Sequence, residues 1–250
     1  MIYELKVRAL NSPHGHKAAR RWRQVRTGVP RATQTADYMR GRVEGRSVVD
    51  VGCMWKIHGA HCFMAEDMGA NRIAGVDLYS TSEFERARED RGSKVEFYGA
   101  DATEPGVLKE LVGSVDLVWC FGVLYHVPDP CQLLRGLREI CTSELVLETF
   151  TIPEVPGVPH AACLFPYLTD SQRRSWEGRR AQPRYPITKP LQGAGGFDNN
   201  FWGLSTTAVV AALRLAGFVV DHHEPSLHGT LRTVFFARPD PNGAVVFQSP

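Results

Sequence analysis

Residues 47–59 read SVVDVGCMWKIHG, and residues 72–77 read RIAGVD. The first stretch predicts a buried strand and a tight turn that opens a helix, and the second predicts another strand that ends in the acid Asp77. Parallel strands joined by a helix build a Rossmann-like α/β sheet, and ligands bind such a sheet at the carboxyl ends of its strands. The two stretches therefore predict a Rossmann-like domain that holds an adenosine-containing cofactor.

The turn after the first strand lacks the glycines that a pyrophosphate needs. Met54 and Lys56 stand where a glycine-rich loop carries glycine, and only Gly52 and the distant Gly59 remain. Because backbone N–H groups approach a pyrophosphate only where no side chain intervenes, this loop is a poor cradle for a dinucleotide. It still accommodates an adenosine ligand that has no phosphate, and S-adenosylmethionine is such a ligand.

Polar side chains around this loop have candidate roles toward that cofactor. Asp77 is suited to hold the ribose diol, and its alternative role is to cap the following turn. Asp50 lies in an apolar strand, where a carboxylate is costly unless it is hydrogen-bonded, so it either orders the loop or meets the cofactor ammonium through water. Lys56 either binds the methionyl carboxylate or points to solvent.

The next two strands extend the same edge of the predicted sheet. Residues 94–98 predict a third strand, after which Asp101 is suited to accept a hydrogen bond from the adenine amino group or to cap the helix that begins near Thr103. Residues 115–120 predict a fourth strand, which leads into the turn FGVLYHVPDP at residues 121–130. The carboxyl ends of these strands are therefore predicted to surround the ligand.

With this first motif and the acids Asp77 and Asp101, the chain resembles the class I S-adenosylmethionine-dependent methyltransferases. Residues 122–130 and ELVLET at 144–149 are similar to the subgroup that includes the bacterial tRNA wobble-uridine carboxymethyltransferase. The resemblance covers roughly residues 45–238 and departs from the family pattern at Met54 and Lys56. The predicted cofactor-binding residues are Asp50, Gly52, Cys53, Lys56, Gly59, Asp77, Leu78, Asp101, Ala102 and Phe121.

The resemblance implies a seven-stranded, mostly parallel α/β sheet with an antiparallel last strand. Residues 1–46 are predicted to form an N-terminal helical lid, residues 47–238 the methyltransferase domain, and residues 239–250 a tail. An insertion rich in proline, glycine and aromatic residues follows the fifth strand at residues 150–203, where it is predicted to cap the substrate. A helix over 206–216 and a strand pair at 218–223 and 231–237 complete the domain.

For methyl transfer by in-line displacement, the protein mainly has to align the acceptor and exclude water. It also has to remove a proton where the acceptor requires it. His126 is a candidate general base because its unperturbed pKa lies near neutrality, and the alternative is a histidine hydrogen-bonded to the following proline turn. Tyr125 is a candidate contact to the transferred group or the acceptor, and the alternative is an aromatic ring packed against the lid.

The insertion supplies the predicted acceptor site. Its aromatic rings offer rigid apolar faces and its asparagines offer paired donors and acceptors, a mixture typical of a small-ligand pocket. The alternative is that these aromatic residues pack against one another and serve only as the apolar core of a long loop. The predicted substrate-binding residues are His160, Tyr167, Asn199, Asn200 and Trp202.

Composition leaves the class of acceptor open. The 250 residues are 43% hydrophobic and 22% charged with a net charge of +2, which is ordinary for a globular protein and gives no global attraction to nucleic acid. Six cysteines without a CxxC pair predict reduced thiols in a cytoplasmic protein, and no metal site or membrane segment is predicted. We expect a small or medium-sized acceptor in natural-product metabolism.

Three other aspects of function stay open at this stage. The basic run between residues 14 and 46 makes tRNA or a nucleotide the alternative acceptor, with either a methyl or a carboxymethyl group transferred, although such a run is usually a solvated helical face. A third possibility is a protein that binds S-adenosylmethionine without catalysis. The sequence does not decide the oligomeric state, for which a homodimer is one option.

Overall fold

The computed structural model describes residues 31–166, 200–227 and 232–243. The nine strands in this part of the chain are β1 Ser47–Val51, β2 Arg72–Asp77, β3 Glu96–Gly99, β4 Val115–Phe121, β5 Cys141–Ile152, β6 Ala162–Leu164, β7 Trp202–Ser205, β8 Phe218–Pro225 and β9 Arg232–Pro239. The helices are α1 Arg31–Met39, α2 Ala60–Asp67, α3 Ser82–Arg91, α4 Val107–Leu111, α5 Pro130–Ile140 and α6 Thr206–Leu215. A short 3₁₀ turn covers Leu124–His126.

The strands form the α/β sheet that the sequence predicts. Strands β3, β2, β1, β4 and β5 are neighbours in that order and run parallel, as expected for strands joined by crossover helices. Strand β9 pairs antiparallel with β5, and β8 pairs antiparallel with β9 on the outer side. The mostly parallel sheet with an antiparallel strand near its end confirms the predicted fold class.

The predicted count of seven strands is wrong for the sheet as a whole. Seven strands form the main sheet, but β6 and β7 from the predicted insertion add two more at the end of β5, where Thr151 pairs with Leu204. Strand β5 is long enough for this because it continues to Ile152, beyond the stretch that pairs with β4. The first residues of the predicted insertion therefore continue β5, and the insertion begins within the sheet.

Side-chain caps set the starts of three helices. Thr81 Oγ1 accepts from the N–H of Phe84 at the start of α3, and Asp129 accepts from the N–H of Gln132 at the start of α5. Ser205 does the same for Ala208 in α6. Each oxygen satisfies one of the backbone donors that a helix leaves unpaired at its N-terminus. Each cap thus fixes the residue at which its helix begins.

The two faces of the sheet bury separate apolar layers. Val49 and Val51 face the layer that includes α4, α5 and α6, whereas Val48 and Trp119 face the layer beneath α1 and α2. This alternation follows from the two-residue period of a strand, and burial on both faces explains the nearly continuous apolar runs of the sequence. Helix α1 joins the second layer through Met39, but the predicted lid role of residues 1–46 stays a prediction.

All six cysteines are free thiols. Cys53, Cys62, Cys120 and Cys141 are buried, and burial raises the pKa of the Cys141 thiol to about 12. A thiol held in its neutral form is a poor nucleophile, so these side chains act as small apolar residues of the core. This agrees with the reduced thiols predicted from the sequence.

Candidate active site

The loop between β1 and α2 makes its turns with two residues other than glycine. Gly52 and Gly59 have φ values of 86° and 74°, and Lys56 and His58 have φ values of 63° and 47°. Residues other than glycine seldom adopt this left-handed region, so the loop holds backbone strain at the place where the sequence lacks its expected glycines. The N–H of Gly59 donates to the carbonyl of Cys53 at 2.8 Å and closes the loop at its base.

Asp77, at the end of β2, ties this loop to the next strand. Its Oδ2 accepts from the N–H of Met54 and its Oδ1 accepts from the N–H of Leu78, both at 2.8 Å. Partial burial raises the pKa of the Asp77 carboxyl, and the two backbone N–H groups oppose that rise. A carboxylate oxygen accepts more than one hydrogen bond, so Asp77 retains acceptor capacity toward the cleft.

Asp101 follows β3 at the neighbouring strand end. Its Oδ1 accepts from both the N–H and the hydroxyl of Thr103, at 2.8 and 2.7 Å, but the next helix begins only at Val107, so this contact closes a local turn and the helix cap considered for Asp101 is wrong. These contacts involve one of the two carboxylate oxygens. The predicted role of Asp101 toward an adenine amino group stays a prediction, as does that of the neighbouring Ala102.

Large apolar side chains are exposed beside Asp77. Trp55, Leu78 and Tyr79 have exposed fractions of 68%, 69% and 46%. Met54 is buried beneath the loop, and the Lys56 ammonium lies 5.5 Å from the centre of the Trp55 ring. Exposed apolar groups of this size commonly mark a binding surface, and these three adjoin the strand ends where a cofactor is predicted.

Asp50 is buried in β1, and its nearest polar partner is one that the sequence did not suggest. Its Oδ2 lies 3.4 Å from Nδ1 of His61 in the first turn of α2. The two side chains are 2% and 4% exposed, so neither meets bulk solvent. Phe121, another predicted cofactor-binding residue, packs with its ring centroid 6.1 Å from that of His61.

The turn after β4 brings the two predicted catalytic residues to a charged cluster. Tyr125 and His126 lie in the 3₁₀ turn with their rings 4.0 Å apart, and the Tyr125 hydroxyl accepts from the guanidinium of Arg232. Arg232 also donates to the Glu148 carboxylate at 2.5 Å, and the Ser226 hydroxyl donates to the same carboxylate at 2.8 Å. Glu148 of β5 and Arg232 of β9 thus form a largely buried ion pair next to Tyr125.

The predicted acceptor residues lie at different places. Asn200 is 8% exposed and directly precedes Phe201, whose N–H donates to the Tyr125 carbonyl at 2.8 Å. Trp202 Nε1 donates to the carbonyl of Pro128 at 2.9 Å. Both residues therefore adjoin the turn that carries Tyr125 and His126. Tyr167 and Asn199 lie outside the described residues.

His160 is placed apart from Asn200 and Trp202. Its Nδ1 lies 3.0 Å from the carbonyl of Thr207 at the start of α6. It lines an open groove of about 520 Å³ with residues of α6 and with His223. Because a carbonyl only accepts, Nδ1 carries the hydrogen in this contact. The structure gives His160 no contact with another predicted site residue in the described part of the chain.

The residues at the strand ends fit S-adenosylmethionine. A carboxylate at the end of β2 suits a ribose diol, a second one at the end of β3 suits an adenine amino group, and the exposed apolar side chains beside Asp77 suit a purine face. The strained loop offers few of the close backbone approaches that a pyrophosphate needs. The two carboxylates and the shape of the loop therefore favour an adenosine ligand without phosphate over a dinucleotide.

Comparison with known proteins agrees with this geometry. Residues 49–144 match the model of a methyltransferase domain. The chain is 30% identical over 127 residues to a tRNA U34 carboxymethyltransferase of Alteromonas mediterranea, which covers 44% of this chain and 34% of that protein. It is 35% identical over 98 residues to a ubiquinone biosynthesis O-methyltransferase of Bordetella avium, which covers 38% of each chain.

A solved structure extends the likeness to the whole fold. The 1,6-didemethyltoxoflavin-N1-methyltransferase of Burkholderia thailandensis, solved with 1,6-didemethyltoxoflavin and S-adenosylhomocysteine, matches with a TM-score of 0.55 at 17% identity. The match covers 92% of this chain and 91% of that one. The chain spans about one third of the length of the curated relatives named above.

Residues 49–144 thus match a methyltransferase domain, and the described residues have the Rossmann-like fold of the class I S-adenosylmethionine-dependent methyltransferases. S-adenosylmethionine is the cofactor of this class, which confirms the cofactor predicted from the sequence. The described residues contain no group of three metal-ligating side chains. They also contain no helix long and apolar enough to cross a bilayer.

Two residues that sequence reasoning missed contact predicted site residues: His61 lies against Asp50, and Arg232 lies against Tyr125. His61 follows Gly59 closely in the chain, and this spacing is the only sequence signal that places it near the loop. Arg232 is separated from Tyr125 by 107 residues and from Glu148 by 84 residues, so only the pairing of β9 with β5 brings them together. The charge partner of Glu148 was therefore not predictable from local pattern.

Proposed function

We propose that this protein transfers a methyl group from S-adenosylmethionine to an oxygen, nitrogen or carbon atom of a small or medium-sized acceptor in specialised metabolism. The observation that carries the proposal is Asp77, a partly buried carboxylate at the end of β2 that is held by the N–H groups of Met54 and Leu78. The small-molecule methyltransferase of Burkholderia thailandensis, which shares the fold over most of both chains, supports the class of acceptor.

Different residues of the chain would bind the cofactor and meet the acceptor. Asp77 would hold the ribose diol, Asp101 the adenine amino group, and the loop with Lys56 the methionyl end. The bound sulfonium supplies an activated methyl group, so the protein's main task is to align the acceptor and exclude water. Tyr125 and His126 lie in the turn after β4, and they would meet the acceptor there if it approaches the transferred group from the carboxyl ends of the strands.

A second candidate is carboxymethyl transfer to tRNA. Similarity to the tRNA U34 carboxymethyltransferase of Alteromonas mediterranea supports it, and so does the guanidinium of Arg232, which lies against the Tyr125 hydroxyl and is suited to a carboxylate. Against it, the charge of Arg232 is already compensated by Glu148 at 2.5 Å. That compensation favours the uncarboxylated cofactor, so methyl transfer remains the first proposal.

The test begins with calorimetric titration of the protein with S-adenosylhomocysteine, for which we expect saturable binding. Methyl-labelled S-adenosylmethionine and its carboxylated analogue are then each assayed against a panel of small phenols, amines and heterocycles and against bulk tRNA. Transfer from S-adenosylmethionine to a small acceptor supports the proposal. Transfer only from the carboxylated donor to tRNA supports the second candidate, and absence of S-adenosylhomocysteine binding contradicts both.

Replacement of His126 by alanine is expected to lower kcat about 100-fold with little change in the KM for S-adenosylmethionine. The reason is that a general base acts on the acceptor proton and not on cofactor binding. Its ring lies against Tyr125, so Tyr125→Phe serves as a comparison that removes the hydroxyl but keeps the ring. An unchanged kcat in steady-state assays of His126→Ala would remove His126 from this role.

A further inference from the structure

A cluster of polar side chains is buried between the sheet and α2 without ordinary hydrogen-bond partners. It consists of Asp50 in β1, His61 in α2 and Trp119 in β4, which are 2%, 3% and 0% exposed. Seven buried side-chain nitrogen or oxygen atoms lack a hydrogen bond among the described residues, and five of them belong to this cluster. Unpaired buried polar atoms are rare in native proteins, and each one calls for a physical explanation.

The contact within the cluster is close but poorly aligned. His61 Nδ1 lies 3.4 Å from Asp50 Oδ2, which is longer than the 2.7–2.9 Å typical of a charge-assisted hydrogen bond. Aromatic rings confine the imidazole, since the ring centroids of Trp119 and Phe121 lie 5.9 and 6.1 Å from that of His61 in edge-on arrangements. Asp50 and Trp119 face each other in the register of β1 and β4. His61 is thus the residue positioned to compensate the Asp50 carboxylate.

The pair lies at the two ends of the loop that faces the cofactor. Asp50 precedes Gly52 by two residues, and His61 follows Gly59 by two. The N–H of Gly59 donates to the carbonyl of Cys53 between them. A contact between Asp50 and His61 therefore fixes the start of α2 against the end of β1, and with it the shape of the strained loop over residues 52–59.

The oxygens of Asp50 are inaccessible, so Asp50 acts on a ligand through the loop and not by direct contact. We propose that His61 is a positioning residue of the cofactor site: it holds the Asp50 carboxylate and thereby fixes the loop of residues 52–59 in the shape that receives S-adenosylmethionine. This inference rests on the function proposed above. A buried carboxylate without a well-aligned hydrogen bond costs free energy. Ligand binding that aligns His61 with Asp50 recovers this free energy in the bound state.

The test compares two replacements of His61 by calorimetric titration with S-adenosylhomocysteine. His61→Phe keeps the ring volume and removes both nitrogens, and we expect it to weaken binding about tenfold or more. His61→Asn places an amide donor near the position of Nδ1, and we expect it to retain affinity within about threefold of the original protein. His222→Phe, which changes an exposed histidine on β8, is the matched control and should bind as the original protein does.

A spectroscopic readout separates positioning from a merely structural role. In ¹⁵N-histidine NMR spectra, the His61 Nδ1 proton is expected to move downfield on saturation with S-adenosylhomocysteine, as the contact with Asp50 shortens. A resonance that does not move, or His61→Phe binding with unchanged affinity, overturns the inference. If His61→Phe does not fold, Asp50→Asn removes the charge with the same shape, and its unchanged affinity would overturn the inference as well.

These outcomes are distinct from failure of the proposed function. Absence of S-adenosylhomocysteine binding by the original protein contradicts the function itself. Normal binding by the original protein together with normal binding by His61→Phe contradicts only the role of His61.

Discussion

Replacing Asp77 by alanine is expected to weaken S-adenosylhomocysteine binding at least about 100-fold, or about 2.7 kcal/mol. The substitution removes the acceptor for the ribose diol and also releases the N–H groups of Met54 and Leu78, which hold the loop against the end of β2. A ribose diol would donate two hydrogen bonds to this carboxylate, and hydrogen bonds to a charged group contribute about 1.5–3 kcal/mol each, so their loss accounts for the expected effect. Isothermal titration calorimetry measures it directly.

Two variants control this experiment. Asp77→Asn keeps one acceptor oxygen and should give an intermediate loss of affinity. Asp67→Ala removes an exposed carboxylate at the end of α2 that pairs with Arg91 at 2.5 Å, and it should leave affinity unchanged because surface ion pairs contribute little. Equal affinity of Asp77→Ala and the original protein would contradict the assignment of Asp77 to the ribose.

Replacing Arg232 by methionine is expected to lower the free energy of unfolding by about 3–5 kcal/mol, because it removes the guanidinium that pairs with the buried Glu148 carboxylate. Glu148 accepts from Arg232 at 2.5 Å. Its side chain is 1% exposed, so bulk solvent does not stabilise its charge. Ser226 contributes only a neutral hydrogen bond to the same carboxylate. Urea denaturation followed by circular dichroism gives the change in free energy.

The same strand supplies the control for this substitution. Arg238 in β9 pairs with Asp221 at 3.0 Å, but both side chains are about half exposed, so Arg238→Met should change stability by no more than about 0.5 kcal/mol. Adding Glu148→Gln to Arg232→Met should recover most of the loss, since the buried charge that Arg232 compensates is then absent. Similar stabilities for Arg232→Met and Arg238→Met would show that the buried pair does not stabilise the fold.

Local pattern predicted most of the elements that form the sheet. Apolar runs placed β1 and β2 correctly, because strands buried on both faces read as nearly continuous hydrophobic stretches. The extension of β5 to Ile152 and its pairing with β7 were not predicted. Pairing between distant segments depends on tertiary contacts that a local pattern does not contain, which is why the added strands were missed.

The cofactor end of the site was more predictable than the acceptor end. Asp77 is the last residue of β2 and Asp101 lies two residues after β3, so the topology of a parallel sheet brings them to one edge without further information. The environment of Tyr125 depends on Arg232, which arrives 107 residues later in the chain through the antiparallel pairing of β9. The roles of His126, Asn200 and the other acceptor residues therefore stay predictions.

The sequence by itself determined the class of fold and the class of cofactor, because both follow from local features: strand periodicity, acids at strand ends, and a loop without the glycines that a pyrophosphate needs. Only the tertiary structure decided how the loop makes its turn without those glycines, through positive φ at Lys56 and His58. It alone also decided which charges are compensated inside the protein, since Asp50 meets His61 and Glu148 meets Arg232. Such pairs form between side chains that folding buries together, and the cost of an unpaired buried charge makes each partner necessary.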